Sequence, residues 1–134
     1  MSSRFVILHH TVHGGEHWDL MLEHGDVLLT WQLFSDPTAS PVFPLRARRI
    51  GDHRKRYLDY EGPISGDRGH VTRVDHGVVE IAEIEELAVS RVRFRLLGRR
   101  LTGAFELHKT DEDETERSET DEGETERGWI LCHS

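Results

Sequence analysis

Short apolar segments of strand length recur along the whole chain, and turns rich in glycine and polar residues separate them. In the clearest example, Val92, Phe94 and Leu96 alternate with arginines. A period of two residues places one face of a strand in a core and the other face in water. The sequence contains no long amphipathic helix pattern. We therefore predict a mainly β fold, a small closed or partly open antiparallel β-barrel with little helix.

The length of 134 residues fits a single domain, which we place at residues 1–134. The segments predicted as strands are residues 5–8, 17–23, 27–33, 71–75, 78–84, 89–97, 102–108 and 129–132. Residues 35–46 and 50–60 are predicted as loops, the second with room for one short strand. Residues 83–88 could form one helical turn.

The negative charge of the chain is concentrated in one segment. Residues 111–127 hold ten of the 25 acidic residues and two of the 17 basic residues, so this run alone carries the net charge of −8. The run has no apolar side chain to bury. We therefore predict a disordered acidic loop at about residues 111–127, between the last two strands.

Basic residues cluster in a different short segment, which surrounds His53. The cluster consists of Arg46, Arg48, Arg49, Arg54, Lys55 and Arg56. Guanidinium groups pair well with phosphate, and an imidazole can donate a proton. We therefore take Arg54, Arg46 and Arg48 as candidate phosphate-binding residues and His53 as a candidate catalytic residue. A solvated basic loop is the alternative interpretation.

Cysteine content and hydropathy bear on where the protein works. Cys132 is the single cysteine, so an internal disulfide cannot form. No apolar stretch approaches the roughly 18 residues of a membrane span, and the first residues do not resemble an export signal. We expect a cytoplasmic protein that does not contact membranes and is a monomer.

A histidine and a carboxylate at i and i+2 form the clearest candidate metal site. His17 and Asp19 lie on a predicted strand, so both side chains project to the same side. His10 ends the preceding strand and could complete the set if the two strands are neighbours. Two imidazoles and one carboxylate leave coordination positions open for catalysis. The alternative is a histidine and an aspartate that face solvent or pair with each other.

Three ordered blocks of residues carry a more specific pattern. The first holds Phe5-Val6-Ile7, His10, His17-Trp18-Asp19-Leu20-Met21-Leu22-Glu23 and Thr30-Trp31; the second holds Asp52-His53, Tyr57-Leu58-Asp59-Tyr60-Glu61-Gly62, Ile64-Ser65-Gly66 and Val74-Asp75-His76-Gly77; the third holds Phe94, Leu96, Gly98, Leu101, Gly103 and Trp129-Ile130-Leu131. Together the blocks resemble the 3′-phosphoesterase domain of bacterial DNA ligase D, as a stand-alone homologue. The resemblance covers nearly the whole chain except the acidic run.

The resemblance implies a β-barrel enzyme that removes 3′ phosphates and 3′-terminal ribonucleotides from DNA during break repair. It implies a divalent metal, most often Mn²⁺, with Zn²⁺ or another transition metal as alternatives. By the same resemblance, His10, His17 and Asp19 bind the metal and His53 acts at the phosphate. The implied partners are DNA 3′ ends or primer-templates and end-joining repair proteins.

The chain departs from the family pattern in the spacing from His10 to His17, which is one residue longer, and at a phosphate-contacting position. The family has a phosphate-contacting arginine two residues after the metal aspartate, and Met21 stands there in this chain. This change motivates a second hypothesis, a module that binds DNA ends or phosphate without turnover. A third hypothesis is a non-haem iron oxygenase, which would need His70 or His76 in place of His10.

Overall fold

The computed structural model describes residues 3–84, 90–110, 115–117 and 124–134, with residues 115–117 and 124–127 described by their backbone alone. The strands are β1 Ser3–Val12, β2 Gly15–His24, β3 Val27–Leu33, β4 Leu45–His53, β5 Gly62–Pro63, β6 His70–Ile84, β7 Arg91–Gly98, β8 Thr102–Lys109, β9 Thr115–Arg117 and β10 Glu124–His133. One 3₁₀ turn, Lys55–Leu58, follows β4. The described residues contain no α-helix.

Eight of these strands close into an antiparallel barrel. The order around the wall is β1-β2-β3-β4-β10-β8-β7-β6, and β6 pairs with β1 to complete the ring. Ile7 illustrates the closure, because it pairs with Leu20 of β2 on one side and with Asp75 of β6 on the other. A closed ring leaves no unpaired edge among these strands. The predicted antiparallel β-barrel is confirmed.

The interior of the barrel is filled by the inward-facing side chains of all eight strands. Trp31 and Trp129 meet edge to face, with ring centroids 5.5 Å apart. Burying one such apolar side chain stabilises the fold by roughly 1.5–3 kcal/mol. The remaining fully or nearly buried members are Phe5, Ile7, Leu20, Leu22, Leu29, Leu33, Leu45, Ala47, Val79, Val92, Phe94, Leu96, Phe105, Leu107 and Leu131.

A second apolar cluster lies on the outer face of the first strands. It consists of Val6, Leu8, Met21, Leu28, Leu58 and Val71, with Tyr57, Tyr60 and Ile64 packed against it. Consecutive strand residues point to opposite faces, so the unbroken run Phe5-Val6-Ile7-Leu8 contributes to both clusters. The chain from Lys55–Leu58 to Ile64 therefore covers part of the outer wall. The candidate functional site lies beside this cover.

Two predictions about individual segments were wrong. Residues 45–53 form strand β4, which begins inside the predicted loop at residues 35–46 and reaches into residues 50–60, where one short strand was allowed for. The segments predicted as residues 71–75 and 78–84 form one strand, β6. Gly77 lies between the two predicted segments. A Cβ atom at Gly77 would lie 2.1 Å from the carbonyl oxygen of Leu97, so the glycine permits close packing of β7.

The acidic run differs in part from the predicted loop. The backbones of Thr115–Arg117 and of the first residues of Glu124–His133 pair as antiparallel strands. The rest of residues 111–127 lies outside the described residues. Of the candidate helical turn at residues 83–88, the first two residues belong to β6 and the others also lie outside the described residues.

The described residues include no helix with the length and apolar character needed to cross a membrane.

Candidate metal centre

Strand pairing brings the three candidate metal ligands to one patch of the outer wall. His10 of β1 is directly opposite His17 of β2, and Asp19 is opposite Leu8. His17 and Asp19 are two residues apart, so they share a face of the sheet. Leu8 belongs to the outer apolar cluster, so this face is the outer one. His10 lies two residues after Leu8 and therefore points to the same face. The convergence predicted from the sequence is confirmed.

The reactive atoms of these side chains lie close together. His10 Nδ1 is 3.0 Å from His17 Nε2, and His17 Nε2 is 3.1 Å from Asp19 Oδ1. His10 Nδ1 is 3.6 Å from Asp19 Oδ2. One ligand atom from each residue lies within 4.8 Å of the other two. A single divalent cation can therefore contact all three residues after small side-chain shifts.

Asp19 is a buried carboxylate, with only 4% of the residue exposed. Burial by itself raises the pKa of Asp19, but contacts with His10 and His17 outweigh burial and hold the pKa below its ordinary value. Asp19 Oδ1 is buried and has no hydrogen bond of good geometry among the described residues, although His17 lies near it. An ionised, buried oxygen without a hydrogen bond is costly unless a cation satisfies it, so the observed site fits a metal.

The ring orientation of His10 is set by the backbone. His10 Nε2 lies 2.7 Å from the carbonyl oxygen of Arg68, so Nε2–H donates to that carbonyl and Nδ1 is left toward Asp19. Gly69, the next residue, lets this loop lie close to β1, because a Cβ atom there would lie 2.0 Å from the carbonyl oxygen of Thr11. Such a bond to the distal nitrogen fixes the tautomer of a metal-binding histidine.

A glutamine connects the histidines to the basic segment. Gln32 Nε2 lies 3.3 Å from His17 Nε2, and Gln32 Oε1 accepts hydrogen bonds from Arg48 Nε at 3.2 Å and from Arg48 Nη2 at 2.7 Å. Gln32 and Arg48 are paired across β3 and β4. These two hydrogen bonds to one oxygen hold the guanidinium of Arg48 beside the candidate metal ligands.

The three ligands and Arg48 open into one cleft of about 590 Å³. His53 lies on its wall, and the Nδ1–H of His53 donates to the carbonyl oxygen of Gly51 at 2.9 Å when the ring carries that tautomer. Tyr57 packs edge to face on His53, with ring centroids 5.6 Å apart. The cleft therefore brings imidazole, phenol and guanidinium groups to one side of the candidate metal ligands.

The structure does not bring all the predicted phosphate-binding residues into the cleft. Arg48 lines the cleft, whereas Arg46 and Arg54 are exposed and do not line it. Arg46 lies near the start of β4 opposite Ile130, and Arg54 precedes the 3₁₀ turn. Arg46 and Arg54 therefore lie apart from Arg48, because residues 45–53 form a strand and a turn follows it. Their assignment as phosphate-binding residues stays a prediction.

The alternative histidines do not join the ligand group. His10 lies beside Asp19, and His70 and His76 are outside the metal-ligand groups found among the described residues. Strand pairing places His70 opposite Thr11 and His76 opposite Val6. The ligand set that the oxygenase hypothesis requires is therefore not formed.

A comparison with protein families decides the family membership. The family model for the DNA ligase D 3′-phosphoesterase domain matches residues 8–109, well over half of the chain. The chain belongs to this family. No curated protein gives a significant match. The matched residues include His10, His17, Asp19 and His53, which line the cleft.

Sequence reasoning missed three residues that contribute to the cleft. Gln32, Tyr57 and Arg68 all line it. Tyr57 stood in a quoted motif block, four residues after His53, and that proximity was the available signal. No sequence signal marks Gln32 or the carbonyl of Arg68, because their roles depend on pairing between β3 and β4 and on the path of the loop before β6.

Proposed function

We propose that this chain is a metal-dependent phosphoesterase that removes phosphate from DNA 3′ ends. The observation that carries the proposal is the convergence of His10, His17 and Asp19 beside Arg48 in the cleft of a chain from the 3′-phosphoesterase family. Removal of a 3′-terminal ribonucleotide would use the same groups. End-joining repair is the cellular setting that the family suggests.

His10 Nδ1, His17 Nε2 and the carboxylate of Asp19 would hold the metal. Two nitrogens and one oxygen without a thiolate suit Mn²⁺, and they also accept Zn²⁺. When bound, such an ion polarises a phosphoryl oxygen and lowers the pKa of a bound water. Asp19 contributes a full negative charge, because its pKa is held low.

Arg48 would bind the substrate phosphate. Its guanidinium lies in the cleft, and Gln32 occupies Arg48 Nε and Nη2 from one side. The remaining donor positions on the guanidinium can pair with phosphate oxygens. Met21 is buried in the cleft wall with Leu8, so the position of the family arginine offers no charge here. Arg48 lines the cleft and can compensate for that loss.

His53 would orient the phosphate and protonate the leaving 3′ oxygen. A doubly protonated His53 donates from Nδ1 to the carbonyl of Gly51, which leaves Nε2–H for the substrate. Transfer of that proton completes the 3′ hydroxyl of DNA and leaves a neutral imidazole. The packing of Tyr57 against the ring restricts its rotation.

The direct test is hydrolysis of a DNA primer-template that ends in a 3′ phosphate, in the presence of Mn²⁺. We expect conversion to a 3′ hydroxyl end, together with loss of activity in a folded His17→Ala variant. An exposed histidine outside the cleft, His13, provides the matched control His13→Ala. The absence of product at high concentrations of folded wild-type protein with Mn²⁺ or Zn²⁺ would refute the proposal.

Met21 favours one second candidate, a module that binds DNA ends without hydrolysing them. An apolar residue at this position removes one phosphate contact but leaves Arg48 and the metal ligands in place. Binding of 3′-phosphorylated DNA that weakens as salt rises, without any product, would support this candidate. Turnover in the same assay would exclude it.

A further inference from the structure

A second group of metal-binding side chains lies on β8 and β10, away from β1 and β2. Glu106 of β8 is directly opposite Cys132 of β10, and His108 follows Glu106 by two residues. All three therefore share one face, which is the outer face because Phe105, Leu107 and Leu131 fill the interior. One ligand atom from each lies within 4.8 Å of the other two.

The carboxylate of Glu106 divides its contacts between its two oxygens. Glu106 Oε1 accepts a hydrogen bond from Arg93 Nε at 2.8 Å, and Arg91 Nε lies 3.6 Å from the same oxygen. Glu106 Oε2 faces His108, 2.9 Å from Nδ1. The arginines therefore engage one oxygen, and the other oxygen faces the group that His108 and Cys132 complete.

The ring nitrogen of His108 indicates that this group accommodates a ligand. His108 Nδ1 is buried, and it has no hydrogen bond of acceptable geometry within the described part of the chain despite its short distance from Glu106. A buried polar atom without a hydrogen bond is unfavourable. A cation between the imidazole, the carboxylate and the thiol would satisfy it.

We propose that Glu106, His108 and Cys132 form a second metal site, for a thiophilic divalent cation such as Zn²⁺. A thiolate, an imidazole nitrogen and a carboxylate oxygen are ligands that Zn²⁺ and Co²⁺ accept, and the remaining tetrahedral position goes to water. Binding displaces the thiol proton of Cys132 to solvent as the sulfur–metal bond forms. The site links two neighbouring strands of the barrel wall and does not depend on the proposed phosphoesterase function.

Cobalt titration of the full chain tests this site selectively. Cys132 is the single cysteine, so a thiolate-to-cobalt charge-transfer band can arise only there, whereas the His10 group contains no sulfur. We expect a saturable band in the reduced wild-type protein, at one thiolate-bound Co²⁺ per chain. Zn²⁺ should remove the band by displacing Co²⁺.

Variants distinguish a metal site formed by all three residues from binding of Co²⁺ by the thiol of Cys132 without the other two. We expect Cys132→Ser to abolish the band and His108→Ala to weaken Co²⁺ binding at this site at least tenfold. His17→Ala and the exposed-residue control His13→Ala should leave both the band and its affinity unchanged. Circular dichroism establishes that each variant is folded. The absence of a band in folded wild-type protein with excess Co²⁺, or a band of unchanged affinity in His108→Ala, would overturn the proposal.

Discussion

Single atoms determine what the cleft can bind. The carbonyl of Arg68 fixes Nε2 of His10, which leaves Nδ1 toward the buried carboxylate of Asp19. Asp19 stays ionised below the usual carboxyl range, because its pKa is lowered. Metal binding requires a ring nitrogen without a proton, so we expect metal affinity to fall as the pH is lowered.

The carboxylate of Asp19 is the first residue to test. We expect Asp19→Asn to weaken Mn²⁺ binding by at least about tenfold, because a ligand charge is lost from a buried site. Isothermal titration calorimetry measures the change. Asp26→Asn, at an exposed turn between β2 and β3, is the matched control and should bind as wild type does. Equal affinity of wild type and Asp19→Asn would show that the carboxylate is not a ligand.

Arg48 is the second residue to test. We expect Arg48→Ala to lower kcat/KM for a 3′-phosphorylated primer-template by roughly tenfold to a hundredfold, the effect of losing a charged hydrogen bond of about 1.5–3 kcal/mol. Gln32→Ala should give a smaller loss, because it frees the guanidinium without removing it. Arg46→Ala is the control, since Arg46 is exposed and does not line the cleft. A loss in Arg46→Ala as large as in Arg48→Ala would contradict this assignment.

At the scale of elements, a salt bridge ties β1 to the segment beside the cleft. Arg4 Nη2 lies 2.7 Å from Asp59 Oδ1, and the hydrogen bond from Arg4 lowers the pKa of Asp59. A carboxyl whose pKa is lowered by folding adds stability above its unfolded pKa of about 4. That contribution is lost as the pH falls through the lowered pKa of the folded state.

We therefore expect Arg4→Ala to destabilise the protein at neutral pH by no more than about 1 kcal/mol, because both partners are exposed. The difference between wild type and Arg4→Ala should shrink as the pH falls through the lowered pKa of Asp59. Urea unfolding at several pH values measures it, and NMR titration should show the pKa of Asp59 rising in the variant. A difference that grows on acidification would contradict this account.

A buried aspartate organises the turn between β7 and β8. Asp75 Oδ1 accepts hydrogen bonds from the backbone N–H groups of His76, Arg99 and Arg100, and Asp75 Oδ2 accepts one from Leu101. Asp75 is 2% exposed. The carboxylate therefore satisfies four backbone donors around a sharp turn that includes positions 98–101.

We expect Asp75→Ala to lower the free energy of unfolding by about 2–4 kcal/mol, because it leaves these donors without an acceptor. Asp75→Asn keeps one acceptor oxygen and should cost less. Urea unfolding gives the values. Because the turn lies away from the cleft, the Mn²⁺ affinity of the folded Asp75→Asn variant should match that of the wild type. If Asp75→Ala were as stable as the wild type, the proposed role of this carboxylate would be contradicted.

Across the whole molecule, features that follow from the alternation of apolar and polar residues were predicted from the sequence. Features that depend on which strands pair with each other were missed. The barrel followed from strand-length apolar runs such as residues 91–97, whose period of two survives in β7. Strand β4 was missed because its arginines resemble a loop when read alone, while pairing with β3 and β10 gives it two faces. A local pattern cannot show which strands become neighbours.

The same limit applies to the candidate site. His17 and Asp19 were found because a spacing of two residues within one strand fixes their common face. His10 required the additional assumption that β1 and β2 are neighbours, which the pairing of His10 with His17 bears out. Gln32 was missed because its contact with Arg48 depends on the register between β3 and β4.

The central claim is that one divalent ion is held by His10, His17 and Asp19 on the outer wall of the barrel. The most direct measurement is an anomalous difference map from crystals grown with Mn²⁺. We expect one peak in contact with His10 Nδ1, His17 Nε2 and an oxygen of Asp19, and a weaker peak there in crystals of Asp19→Asn grown at the same Mn²⁺ concentration. A well-ordered cleft without a peak at saturating Mn²⁺, or a peak bound only by other residues, would contradict the claim.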